Sequence, residues 1–108
     1  MKLLLVVVQD SDVNILMDEL VEKQYRVTKL SSSGGFLRNG NTTIFMGVED
    51  KQVDDVMRII EANSKKRTTT TAMVNPSMQG SMFQTYPVEI EVGGATVFVL
   101  DVEAFYKI

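Results

Sequence analysis

Apolar residues run without a break from Leu3 to Val8 and stop at Gln9 and Asp10. Such a run, rich in β-branched side chains, predicts a central strand buried on both faces. Val13, Leu16, Met17 and Leu20 follow at helical spacing, with Asp10 or Ser11 where an N-cap belongs. Tyr25–Leu30 reads as a second strand, with Arg26 and Thr28 projecting to one face. Asn41–Val48 is rich in Thr, Ile, Phe and Val and reads as a third. The helical pattern then returns in Val53, Val56, Met57 and Ile60, with Asp50 as its cap. Each member lies 40 positions after its counterpart in the first helix, as 53 follows 13. Leu5 maps onto Phe45 and Val8 onto Val48 by the same shift.

A strand–helix–strand unit written twice predicts an α+β chain of ferredoxin-like βαββαβ form. Its four-stranded antiparallel sheet carries both helices on one face. The second unit is interrupted by Ser64–Tyr86, which opens on Lys65, Lys66 and Arg67 and holds Thr68–Thr71, Met73, Met78 and Met82. With little periodicity, it reads as a long second loop, and loops of that length in small domains are usually functional or disordered. Val88, Ile90 and Val92 then alternate with Glu89 and Glu91. Gly93–Gly94 predicts a two-residue hairpin turn into Ala95–Leu100, an additional C-terminal β-hairpin strand.

Residues 1–108 suffice for one domain. A net charge of −3 argues against nucleic-acid binding by bulk charge. There is no Cys and no His, which removes disulfides, thiolate metal sites, thiol nucleophiles and the Ser–His–Asp triad. The acidic pairs Asp18–Glu19, Asp54–Asp55 and Glu89–Glu91 read as solvated faces, so the expectation is no catalytic residue, no metal and no cofactor. No apolar stretch approaches membrane-spanning length or a secretory signal, so a cytoplasmic location without membrane insertion is expected.

The loop from Ser31 to Asn41, SSSGGFLRNGN, is the short connection of the first hairpin. It sets Phe36 and Leu37 directly after a Gly-Gly pair, where a surface loop should be polar. Gly34 and Gly35 allow successive amide N–H groups to converge on an anion. Arg26 and Arg38 flank that loop, and the guanidinium matches phosphate oxygens. Phe36 offers a flat face to a base, and the amide of Asn41 both donates and accepts, as an adenine edge requires. Thr28 adds a hydroxyl, and Gly47 leaves space for close approach. If Arg26 opposes Gly47 across the hairpin, these residues share one face and line one groove. Taken singly, each has a plainer reading as a turn, a solvated strand residue or an interface anchor.

The order of these features resembles the PII family of trimeric signalling proteins, and more closely the PII-like receptors for cyclic di-AMP. The likeness is carried by VVVQD at 6–10, RVTKL at 26–30, GGFLRNGNTT at 34–43, MGVED at 46–50 and YPVEIEVGGATVFVLDVEAF at 86–105. It implies a non-catalytic homotrimer that binds cyclic di-AMP between subunits and signals to a downstream protein through its loops. By that likeness Arg26, Thr28, Gly35, Phe36, Leu37, Asn41 and Gly47 form the binding set, with Gly94 and Phe98 from the neighbouring subunit. The segment VGGATVF lacks the basic residues that PII proteins bring to ATP, so ATP sensing is not expected. The rival reading is a ferredoxin-like interaction module with an ATP-like ligand or no nucleotide.

Overall fold

The computed structural model describes residues 1–30, 40–74 and 85–108. Along the chain these form β1 (Lys2–Gln9), α1 (Asp10–Glu22), β2 (Thr28–Leu30) and β3 (Asn41–Val48). A 3-10 turn at Asp50–Gln52 leads into α2 (Val53–Ser64), followed by β4 (Arg67–Val74), β5 (Thr85–Val92) and β6 (Ala95–Asp101). The main sheet is antiparallel with strand order β2-β3-β1-β6, as the ferredoxin-like form requires.

β1 is central, paired with β3 on one side and β6 on the other. Its side chains alternate between two faces. Leu4, Val6 and Val8 are fully buried against Val13, Leu16 and Leu20 of α1 and Val56, Ile59 and Ile60 of α2. Ile44, Met46 and Val48 of β3 complete that core. Leu3, Leu5 and Val7 point the other way and are only half-buried. The sequence predicts a strand covered on both faces; among the described residues of one chain the helix face is fully covered and the other only in part.

The helix stripes fall where predicted, with Ile59 joining the second and Met57 left on its rim. Their starts differ from expectation. Asp10 is the first residue of α1 rather than its cap, and its carboxylate accepts the Thr42 hydroxyl. Glu49, not Asp50, caps the second helical stretch in a capping box with Gln52. Helix α1 stops without a glycine. Gln24 takes φ of 69°, and the Gln24 and Tyr25 N–H groups return to the Val21 and Leu20 carbonyls, each at 2.9 Å. That turn aims Tyr25 at α2, where its hydroxyl donates to Asp55 at 2.7 Å. It also delays the second strand, which pairs only from Thr28 rather than from Tyr25.

The last two strands form where predicted but do not pair with each other. β5 pairs with β4, inside the segment expected to be loop, as a separate two-stranded ribbon, and β6 pairs with β1. Gly93–Gly94 is therefore a junction between two sheets and not a hairpin turn. The reason is competition for edges: β1 offers β6 a full-length apolar partner, while the threonine-rich β4 satisfies β5.

Two outcomes follow for stability. Leu16 is fully buried, so Leu16→Ala should cost about 2–5 kcal/mol, read as a lower urea midpoint. The Tyr25 hydrogen bond holds the Asp55 carboxyl below its ordinary range, so its contribution is present above that range and lost as pH falls through the lowered value. The urea midpoints of the wild type and Tyr25→Phe should differ at pH 6 and begin to converge only as pH falls below about 4.

Candidate functional site

The open face of the main sheet carries the residues singled out by sequence. Thr28 opposes Phe45, Lys29 opposes Ile44 and Leu30 opposes Thr43. Continued by two residues, this register sets Arg26 across from Gly47, the alignment expected for the first hairpin. Asn41, Thr43, Phe45 and Gly47 then share the face turned from the helices, beside Gln9, Val7, Leu5 and Leu3 of β1. Gly35, Phe36 and Leu37 lie outside the described residues.

One protomer does not gather these residues into a single groove. Gly47 lies six positions after Asn41 along β3, about 20 Å at strand rise. Arg26 and Gly47 border an apolar groove of about 320 Å3 with Met1, Leu3, Phe45, Val102 and Phe105. Asn41 borders a larger one of about 720 Å3, with Gln9, Lys65, Lys66, Gly93, Gly94 and Thr96 among its walls. Both volumes lie within the range of small-ligand sites. Gly94 thus reaches the groove of Asn41 in the same chain, whereas Phe98 stands on the open face opposite Leu5, half exposed. Between the two grooves the Thr43 hydroxyl is buried with no hydrogen-bond partner among the described residues.

A sequence model of the cyclic-di-AMP receptor family matches the chain over residues 1–108. The chain belongs to that family. Among solved structures it is similar to a functionally unknown protein from Pediococcus pentosaceus ATCC 25745. The two are 40% identical with a TM-score of 0.78, over 99% of this chain and 96% of that one. The PII-like resemblance read from the hairpin and the C-terminal segment therefore holds over the full length.

Sequence reasoning missed several walls of the larger groove. Gln9 closes the end of β1, and its side-chain carbonyl accepts the Gly93 N–H at 2.8 Å. Lys65 and Lys66 were assigned to a remote loop, yet they stand against Gly93–Gly94. The region expected to lack cations thus has the Lys65 backbone and the Lys66 side-chain stem beside it from α2's exit, with the Lys66 ammonium paired to Glu91 at 3.5 Å, a proximity that no local pattern reveals. Arg67 is already committed. Its guanidinium donates to the buried Asp12 carboxylate at 2.7 Å and to the Lys65 carbonyl at 3.1 Å, and the Asp12 contact pushes its pKa up. No group of three or more His, Cys, Asp or Glu side chains is gathered as a metal site among the described residues.

Gly93 and Gly94 are required by conformation as well as by space. Their φ values are 85° and 95°, in the left-handed region. A Cβ on Gly93 would come within 2.5 Å of Arg67 Nη1 and 2.6 Å of the Lys65 carbonyl oxygen. Gly93→Ala should therefore cost more than about 1 kcal/mol in chemical denaturation, through backbone strain and displacement of the Lys65–Arg67 segment.

Proposed function

We propose that this protein is a non-catalytic cytoplasmic receptor, a homotrimer that binds cyclic di-AMP in its intersubunit clefts and signals through its loops. Family membership supports the ligand. The observation that carries the site is the β2–β3 register, which pairs Thr28 with Phe45, together with the groove that Arg26 borders with Phe45 and Gly47. In this reading Arg26 and the Gly35 backbone meet phosphate, Asn41 and Thr28 read an adenine, and Phe36 and Leu37 cover a base.

The subunit assembly is supported by the apolar surface that one chain leaves uncovered. Phe98 and Leu100 of β6 are 52% and 43% exposed, beside half-buried Leu3, Leu5, Val7 and Phe45. β6 is an edge strand of seven residues whose only charged member is its last, Asp101, so its free edge suits pairing with another copy. The tail residues Phe105 and Tyr106 are 66% and 83% exposed. Covering this surface with neighbouring copies also joins the two grooves to a second chain, and Phe98 is assigned to meet the ligand across that boundary, while Gly94 borders the groove of Asn41 in its own chain.

One observation favours the ATP-like rival. Lys65 and Lys66 stand at the Gly93–Gly94 wall of the larger groove, where a polyphosphate would need them. Calorimetry against cyclic di-AMP, cyclic di-GMP and ATP separates the readings. Saturable heat with cyclic di-AMP and none with ATP is expected, and the opposite result would replace cyclic di-AMP with an ATP-like ligand. Asn41→Ala and Arg26→Ala should each weaken cyclic di-AMP binding at least about tenfold, the loss of a good polar contact, with the trimer intact by sedimentation. Unchanged affinity in both variants would remove the proposed site.

A further inference from the structure

Four hydrogen-bonded contacts converge on the turn where β1 becomes α1. The Asp10 backbone N–H donates to the Gly40 carbonyl at 2.8 Å, and the Asp10 carboxylate accepts the Thr42 hydroxyl. Those two bonds hold the residues on either side of Asn41. Gln9 accepts the Gly93 N–H, and Asp12 accepts both terminal nitrogens of Arg67, at 2.7 and 3.4 Å. Those bonds hold both feet of the ribbon, since Arg67 opens β4 and Gly93 directly follows β5. A span of four residues is thus tied to the start of β3 on one side and to the β4–β5 ribbon on the other.

The span is stiff. Gln9 is fixed in the β1–β3 ladder opposite Asn41, and Asp10 and Asp12 lie in the first turn of α1. Asp12 is 4% exposed, so its carboxylate depends on the Arg67 guanidinium for compensation. A two-point contact between planar groups also fixes direction, which a point charge does not. Among its described residues the ribbon has little else to orient it: residues 67–70 are exposed, and so are Glu89, Ile90 and Glu91.

We propose that the Gln9–Asp12 turn couples the ligand site to the ribbon. Ligand held at Asn41 shifts the start of β3 against Asp10, and the same turn resets the ribbon through Asp12–Arg67 and Gln9–Gly93. The β4–β5 ribbon is then the surface whose position reports occupancy, and the Asp12–Arg67 pair is the joint that transmits it. This rests on the reading of Asn41 as a ligand residue. A ligand moves such an equilibrium only by preferring one arrangement, and the ribbon's position must in turn alter ligand affinity.

The test is hydrogen exchange on the full-length protein with and without saturating cyclic di-AMP, alongside calorimetry. In the wild type, ligand should slow exchange several-fold in peptides covering β4 and β5. Asp12→Asn keeps the side chain's shape and removes its charge; Arg67→Lys keeps the charge and removes the fork. Both should bind ligand within about threefold of the wild type while most of the ribbon response disappears. Should Asp12→Asn fail to fold, Arg67→Lys on the exposed ribbon carries the same comparison. Wild-type-sized ribbon responses in the folded variants would overturn the coupling. So would a silent ribbon in a wild type that binds ligand, which leaves the receptor reading standing. Absence of binding by the wild type would remove both.

Discussion

Everything in this structure depends on the two-sided demand of β1. It is paired along both edges and apolar on both faces, so it needs four neighbours. Strands β3 and β6 supply the edges, and α1 with α2 supplies one face. The remaining face, with Leu3, Leu5 and Val7, is only half-buried among the described residues. Full burial of such side chains is worth about 1.5–3 kcal/mol each, a gain that the proposed assembly would draw on. The same alternation places Asn41, Thr43, Phe45 and Gly47 on that open face. The candidate ligand residues and the apolar surface therefore belong to one side of one sheet, so the proposed assembly and recognition would draw on the same face.

The ribbon follows from the same demand. Because β6 is taken by β1, β5 pairs with β4 and leaves the body of the domain. Its apolar positions Val88, Ile90 and Val92 share a face with Thr69 and Thr71, while Glu89 and Glu91 face Thr70 and Thr68. A two-stranded ribbon has little intrinsic stability, so its anchoring decides its position. That anchoring is concentrated at the root, in Asp12–Arg67, Gln9–Gly93 and the Gly94 N–H bond to the Ser64 carbonyl. A projecting element held mainly at its base suits a reporter better than a core strand would, because its position can change without opening the core.

Local periodicity determined much of this protein. The two helix stripes, β1, β3 and the first hairpin register were legible because period 3.6 and period 2 are properties of consecutive residues. The family, too, was legible from GGFLRNGNTT and the C-terminal segment. What only the tertiary structure decided is which strands pair and which distant residues meet. Nothing local distinguishes a Gly-Gly hairpin turn from a Gly-Gly junction, since both need positive φ; the choice depended on β1 having a vacant edge. Threonines 68–71 read as loop because they lack an apolar alternation, and they became a strand once β5 lay beside them. No local pattern marks Asp12. Its burial against Arg67, and the approach of Lys65 and Lys66 to Gly93–Gly94, exist only because α2 delivers residues 64–67 to the end of β1. Chain neighbours set each element's shape; competition for edges and faces set the partners.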